Sequence, residues 1–386
     1  MATKVTALNW RPQTFSDLVG QGVISTTLQN AIRHDRLHHA YLFAGLRGSG
    51  KTSTARIFAK ALNCEKGPTP EPCLKCASCK EIRDGNSMDV IEIDAASNNS
   101  VDNIRELREM VRYNAARDKN KIYIIDEVHM LSTSAFNALL KTLEEPPPNV
   151  FFIMATTELH KIPATILSRS QQFDFKQIPA SEIEKRVEEI VKVEKINITK
   201  EAIGLIATAA KGSMRDALSL FDQVVAASGE EITVLEVEPI LGLVKDIHLV
   251  NLMEGVVTDS VERVLTTISE LINSGHDLKG VYDSFTSFVR DLIVLKSVTH
   301  TSEILVRQYG DPSQFKDILD QVTHADLVRY LNVLVSGEQV FRQASVPQYG
   351  LELVLFKMLE LKKLQPLETL ISDLQSLSFP DQKKNG

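Results

Sequence analysis

Short apolar runs recur through the first half of the chain, each followed by a stretch whose apolar positions repeat with helical spacing. Residues 40–44 (AYLFA), 88–94 (MDVIEID), 121–126 (KIYIID) and 150–155 (VFFIMA) read as strands, and 172–175 (QFDF) as a shorter fifth. The near-continuous apolar character of 121–126 is that of a strand covered on both faces, as in parallel sheets flanked by helices. Helices are expected over 53–63, 101–113 and 134–145, the last stopped by Pro146-Pro147-Pro148. Strand, crossover helix and strand in repetition give an α/β fold with a parallel sheet, and such sheets take ligands beyond the carboxyl ends of their strands.

Strand signals cease after Pro179. Helices are expected over 181–194 and 200–211, with Gly212 ending the second and Ser213 capping a third that carries Arg215 and runs to Ala227. From Val244 the pattern is again wholly helical. Val261, Val264, Leu265, Ile268, Leu271 and Ile272 form a one-sided stripe with Gly275 at the C-terminal cap position, and 327–340 and 351–364 behave alike. The expected division is a nucleotide-binding domain at 1–179, a small helical lid at 180–243, an all-α segment at 244–366 and a polar tail at 367–386. No internal repeat is visible, and nothing in the third segment carries chemistry of its own.

The chemistry concentrates at the strand ends. Gly45-Leu46-Arg47-Gly48-Ser49-Gly50-Lys51-Thr52 joins the first strand to the first helix. Its glycines let successive backbone N–H groups converge on one anion at a helix N-terminus, Lys51 reaches the β- and γ-phosphates, and the Thr52 hydroxyl ligates Mg2+. Asp126 and Glu127 end the third strand, where the first suits a Mg2+ ligand and the second a general base for an attacking water. Thr156 and Thr157 end the next, within reach of a γ-phosphate. Arg169, before the last strand, and Arg215, at a helix start, are candidates to neutralise the transferring phosphate. No guanine-reading Asn-Lys-x-Asp stretch follows, which disfavours a GTPase.

All four cysteines of the chain lie together: Cys64, Cys73, Cys76 and Cys79. The C-x2-C-x2-C run with a fourth thiol nearby suits a closed tetrahedral Zn2+ site of structural type, an iron–sulfur cluster being the rival for four thiolates. The net charge of −7 argues against a globally basic nucleic-acid coat but leaves room for a local basic seam. Arg105, Arg108 and Arg112 share one face of the expected 101–113 helix and are the candidates for backbone-tracking contacts, beside Glu106 and Glu109. No secretory signal and no apolar run of about 18 residues occurs, so neither secretion nor membrane spanning is expected and the cytosol is the default.

These stretches together resemble a known family. WRPQTFSDLVGQ (10–21), HHAYLFAGLRGSGKTSTAR (38–56), the four-cysteine insert, IEIDAAS (91–97), IDEVHMLSTSAFNALLKTLEEPP (125–147), ATTELHKIPATILSRS (155–170) and GSMRDALSLFDQ (212–223) are similar to the motor subunits of bacterial clamp loaders, the gamma/tau family of DNA polymerase III within the AAA+ ATPases. The likeness is strong over about residues 1–240 and rests on helical pattern alone to about 365. It implies an AAA+ domain with a zinc insert, a helical lid and an all-α collar that oligomerises. Thr157 would be the sensor of the γ-phosphate, Arg169 a finger given in trans to a neighbouring subunit's ATP, Arg215 a second sensor acting in cis, and Arg11 and Pro12 a segment near the adenine. Ser170 stands where the family usually has Cys, which leaves the charge of Arg169 unchanged. The implied partners are delta and delta prime subunits and further copies of this chain in a five-subunit ring, a sliding clamp and primer–template DNA, at replication forks in the bacterial nucleoid. No polymerase active site is expected, nor, in the sequence as given, the polymerase-binding extension of tau members. The competing expectations are a different AAA+ remodelling ATPase and an assembly scaffold that holds nucleotide and zinc only for structure. The intact set Lys51, Asp126, Glu127 and Arg169 speaks against the scaffold.

Overall fold

The computed structural model describes residues 6–98, 109–111, 113–229, 231–242, 244–297 and 315–362. It separates into two compact units, Met1–Val237 and Glu238–Gly386. The first contains α1 (Thr6–Asn9), α2 (Gly22–Arg33), β1 (Ala40–Gly45), α3 (Lys51–Asn63), α4 (Ala77–Asp84), β2 (Val90–Asp94), β3 (Lys121–Asp126), α5 (Thr133–Glu144), β4 (Val150–Thr156), α6 (Ala164–Leu167) and β5 (Gln171–Phe175). Three longer helices follow, α7 (Ala180–Glu194), α8 (Lys200–Ala209) and α9 (Met214–Ala227), and α10 (Val234–Ile240) comes next.

The strands form one sheet in the order β2-β3-β4-β1-β5, and every pair is parallel. Because β1 sits between β4 and β5, the crevice at its carboxyl end lies between connections that leave the sheet in different directions, where such folds bind ligands. Tyr41, Leu42, Phe43, Ile122, Tyr123, Ile124, Phe152 and Ile153 are fully buried. One face packs Phe15, Leu28, Phe58, Leu62 and Ile82, the other Val128, Phe136, Leu139 and Ile166. All five expected strands form. The first helix begins at Lys51, two residues earlier than its apolar spacing indicates, because Gly50, in the left-handed region (φ 104°), lets the chain enter the helix directly from the phosphate loop. The second strand starts at Val90 instead of Met88. Met88 is exposed, and the Asp89 carboxylate is spent on the backbone N–H groups of Ala116, Arg117 and Asp118. Of the expected 101–113 helix, residues 109–111 are described and helical, while Tyr113 is described and lies beyond the helix. Arg105, Arg108 and Arg112 lie outside the described residues, as do 363–386.

In the second unit the described elements are all helices: α11 (Asp246–Val257), α12 (Val261–Asn273), α13 (Leu278–Ser297), α14 (Lys316–Gln321), α15 (His324–Gln343) and α16 (Pro347–Lys362). Their shared core includes Leu252, Ile268, Phe285, Phe288, Leu334 and Leu355. On α12 the buried face is Val264, Thr267, Ile268 and Leu271, while Val261 and Ile272, at the edges of the expected stripe, are exposed. Gly275 adopts positive φ (76°), and the His276 N–H returns to the Leu271 carbonyl at 3.1 Å, closing the helix as its sequence indicates.

Candidate functional site: a phosphate-binding cavity and a four-thiol cluster

A cavity of about 740 Å3 opens at the carboxyl end of β1. Its wall includes Arg47, Gly48, Ser49, Gly50, Lys51 and Thr52 from the phosphate loop, Asp126 and Glu127 after β3, and Arg215 from the start of α9. Arg11 and Pro12 line it from the N-terminal segment. Gly45 and Leu46 complete the loop as the carbonyls to which the Lys51 ammonium donates, at 2.9 and 3.0 Å. The loop admits no side chains at two of its glycines. A Cβ on Gly45 (φ 147°) would stand 2.4 Å from the Phe175 carbonyl oxygen, and one on Gly48 (φ 76°) 2.1 Å from Ser213 Oγ. Ser213 in turn caps α9, accepting the Asp216 N–H at 3.2 Å. The bare backbone at Gly48 is thus what lets the lid helix and its Arg215 close on the phosphate loop.

The acidic side of the cavity is ordered by short contacts. The Thr52 hydroxyl donates to Asp126 Oδ2 at 2.7 Å, and the Glu127 N–H donates to Asp126 Oδ1 at 3.0 Å. This pair of oxygens, a hydroxyl and a carboxylate from facing elements, is the hard donor set that Mg2+ takes beside substrate phosphates, and the residues fit it. The Thr157 hydroxyl donates to Glu127 Oε2 at 3.2 Å. Thr156, fully buried, faces away from the cavity toward His129.

Positive charge is crowded here. Burial holds the Lys51 ammonium below its ordinary pKa, with Glu127 and Asp126 pulling the other way. Arg11 is also lowered, first by burial and then by repulsion from Arg56, with Arg215 adding to it. Cations pressed together at the N-terminus of α3 favour a polyanionic ligand, and the facing carboxylates of Asp126 and Glu127 suit a divalent cation beside it.

Arg169 does not line this cavity. Its guanidinium is held by Glu144 at 2.7 Å and by the Thr165 carbonyl at 2.9 Å, one-third exposed. Several residues in or beside the wall carried no signal of their own in the sequence. The amide of Gln21, 3% exposed, donates to the Lys176 carbonyl at 2.8 Å and approaches the Ser49 carbonyl at 3.5 Å, tying the phosphate loop to the end of β5. Glu92 on β2 holds Arg56 through two bonds of 2.7 and 2.8 Å. Trp10 donates to Glu194 Oε1 at 3.0 Å and lies under Arg186 at 5.5 Å, so the N-terminal segment is pinned to lid helix α7. Arg11 donates to Ser53 Oγ at 3.2 Å. Only the Trp-Arg-Pro stretch within the resemblance drew attention to this region.

The four cysteine sulfurs lie within 4.8 Å of one another. The N–H groups of Cys73, Cys76 and Cys79 donate to the sulfurs of Cys64, Cys73 and Cys76, each at 3.4 Å. Donation from the N–H groups of Lys75 and Cys76 pulls the Cys73 thiol down to about 6, whereas burial pushes Cys79 up. Four convergent sulfurs with backbone donors suit Zn2+, which such a set encloses completely. Cys64 caps the phosphate-loop helix α3 and Cys76 caps α4. Salt bridging of Arg117 to Glu81 at 2.7 Å, and donation from Ser78 to Asp118 at 2.6 Å, fasten α4 to the segment before β3. Stripping the metal with a strong chelator is expected to expose four titratable thiols. It should also lower the melting midpoint by roughly 6–12 °C, as for a loss of about 3 kcal/mol in a unit of this size. Metal analysis beside calorimetry checks this, and metal-free protein that melts like the native form would refute a structural ion.

Three family models match in succession: DNA polymerase III, delta subunit, over residues 20–179; DNA polymerase III clamp loader subunit, ATPase lid domain, over 182–230; and DNA polymerase III subunits gamma and tau domain III, over 232–374. The chain is 41% identical over 382 residues to DNA polymerase III subunit tau of Bacillus subtilis, covering 95% of this chain and 68% of that one. It is 39% identical to the tau subunit of Escherichia coli, covering 95% and 57%, and 36% identical to the gamma subunit of Buchnera aphidicola subsp. Baizongia pistaciae, covering 92% and 97%. It therefore spans between about half and two thirds of these tau relatives and nearly all of this gamma one. Among solved structures, the Thermotoga maritima RuvB branch migration motor is similar with a TM-score of 0.47 and 16% identity, over 64% of this chain and 79% of that one. Among the described residues no helix is long and apolar enough to cross a membrane. Matched in order from the phosphate-loop domain through the lid to the helical third part, the chain belongs to the gamma/tau family of DNA polymerase III subunits, the AAA+ ATPases of the clamp loader.

Proposed function

We propose that this chain is the motor that uses ATP to open a sliding clamp and place it on primer–template DNA, working in the bacterial cytosol at replication forks. The observation that carries this is the separation of its charges. Lys51, Thr52, Asp126, Glu127, Thr157 and Arg215 are gathered about one cavity or its rim, while Arg169 is held away from it by Glu144 and Thr165. An arginine so placed serves a neighbouring subunit. The division into a nucleotide domain (1–179), lid (180–243) and oligomerising collar (244–366) suits the same reading, with delta and delta prime subunits and further copies of this chain completing a ring.

In this reading the backbone N–H groups of 45–52 wrap the phosphates, and Lys51 turns from its loop carbonyls to the β- and γ-oxygens. Thr52 and Asp126 hold Mg2+, which neutralises charge on those oxygens when bound. Glu127 orients a water and takes its proton, while Thr157 fixes the glutamate and senses the terminal phosphate. Arg215 brings the lid down on the nucleotide, and Arg11 and Pro12 border the base. Arg169 completes the neighbour's site, so hydrolysis waits for a correctly packed ring.

The test is steady-state hydrolysis by the full chain alone and then with partner subunits, clamp and primed DNA, added singly and together. Turnover is expected to rise at each addition and most when all are present. Equal turnover by the lone chain and the full mixture would refute a motor gated by assembly. Stimulation by partners but not by clamp or DNA would assign the chain to a different remodelling task.

A further inference from the structure

We propose that His129 is a positioning residue for hydrolysis, holding the Glu127 carboxylate in its working orientation by bridging it to Glu158. The inference rests on the reading of Glu127 as the general base. His129 lies in the short 3-10 turn Val128–Met130 that follows β3, and its side chain is only 7% exposed. Its Nδ1 is 3.0 Å from the buried Thr156 hydroxyl and 3.5 Å from Glu127 Oε2, and its Nε2 is 3.4 Å from Glu158 Oε1. Both ring nitrogens are therefore engaged, and the ring cannot turn without losing contacts on both sides.

Glu127 needs such support. Its backbone is in the left-handed region (φ 48°), which a residue with a side chain occupies only when its surroundings enforce it. The Met130 N–H donates to its carbonyl at 2.9 Å, and the Thr157 hydroxyl contacts the same Oε2 that faces His129. A hydroxyl on one side and an imidazole on the other fix the carboxylate in two directions, as a single contact would not. The far end is anchored as well. The Glu158 N–H donates to Thr156 Oγ1 at 3.0 Å, and its carboxylate also holds Lys161 at 3.0 Å. Thr156, which does not reach the cavity, acquires a task here as the fixed post against which the ring is set. His129 does not itself line the cavity, acting only through Glu127, and is not a catalytic residue.

The experiment uses the full chain in its stimulated assembly, comparing His129→Ala, His129→Gln, Glu158→Ala and Glu127→Gln. Kcat, the KM for ATP, the Kd for a non-hydrolysable analogue and the melting midpoint are measured for each. His129→Ala is expected to lower kcat about 10- to 100-fold while KM and Kd stay within about twofold, the pattern of a contact that matters only in the transition state. His129→Gln, which keeps one donor in place, should recover part of the loss. Glu158→Ala, at a position about one-third exposed and outside the core, should lower kcat about three- to tenfold. Wild-type kcat in a folded His129→Ala or Glu158→Ala protein overturns the bridge, and so does a fall in analogue affinity that tracks a fall in melting midpoint. Near-normal kcat in Glu127→Gln would instead remove the premise that Glu127 is the base, which keeps the two failures apart.

Discussion

Replacing Arg169 by alanine is expected to leave nucleotide binding intact while lowering stimulated turnover of the assembled complex by about 10³–10⁵-fold, the range that a finger arginine contributes to phosphoryl transfer. The expectation follows from where the side chain is held. Arg169 leaves the first turn after α6 with its guanidinium on the Thr165 carbonyl, the Ser168 hydroxyl and Glu144. None of these partners lines the cavity that contains Lys51. An exposed ion pair of this kind contributes at most about 1 kcal/mol to stability, so the variant should fold and assemble. Its loss would be felt where charge builds on a neighbour's γ-phosphate, a step worth roughly 4–7 kcal/mol of barrier. Mixed assemblies sharpen the test. Subunits carrying Lys51→Ala keep the finger, and subunits carrying Arg169→Ala keep the binding loop, so mixing the two should restore turnover that neither gives alone. Wild-type turnover in an all-Arg169→Ala assembly, or no recovery on mixing, would remove the trans assignment.

What the sequence disclosed, and what it withheld, divides along the range of the interactions. The phosphate loop was legible because its geometry is local: closely spaced glycines between an apolar run and a helix dictate the turn that the backbone makes. The cysteine cluster was legible for the same reason, since two-residue spacers bring sulfurs together within one turn. Asp126 and Glu127 stood at a strand end whose apolar run announced it. By contrast, Gln21 reaches the Lys176 carbonyl across 155 positions, and glutamine is too common for its place to mark it. His129 was visible only as a letter in a longer match, because Glu158 meets it through the pairing of β3 with β4. On α12, periodicity marked six apolar positions but not how wide a face the neighbouring helices would cover, and Val261 and Ile272 stay exposed. The separate station of Arg169 came from the resemblance, since spacing alone did not distinguish it from any arginine in a turn.

Lys51→Ala should abolish measurable ATP binding, with an affinity loss of at least about 10²–10³-fold. Truncating one partner of a buried, hydrogen-bonded charge pair costs about 2–5 kcal/mol, and a triphosphate left facing bare backbone lies at the upper end. Lys51 is 6% exposed, and no other lysine among the described residues lines the cavity to substitute for it. Arg47 is exposed, and Arg11 and Arg215 approach from other walls. The loss can be assigned to the missing charge because, although the ammonium's bonds to the Gly45 and Leu46 carbonyls go with it, the loop keeps its other bonds. The Thr54 N–H still donates to the Gly50 carbonyl at 2.8 Å, Ser49 Oγ still donates to the Leu46 carbonyl at 2.7 Å, and Thr52 still meets Asp126. Titration with a non-hydrolysable analogue measures the affinity, and melting without nucleotide checks that the fold is kept. Lys51→Arg separates charge from shape: it keeps the cation but replaces a point charge on a slim stem with a planar fork that the glycine-lined channel does not fit, so it too should bind poorly. Wild-type affinity in Lys51→Ala would mean that the nucleotide is held by the arginines alone, and the loop's part in hydrolysis would have to be given up with it.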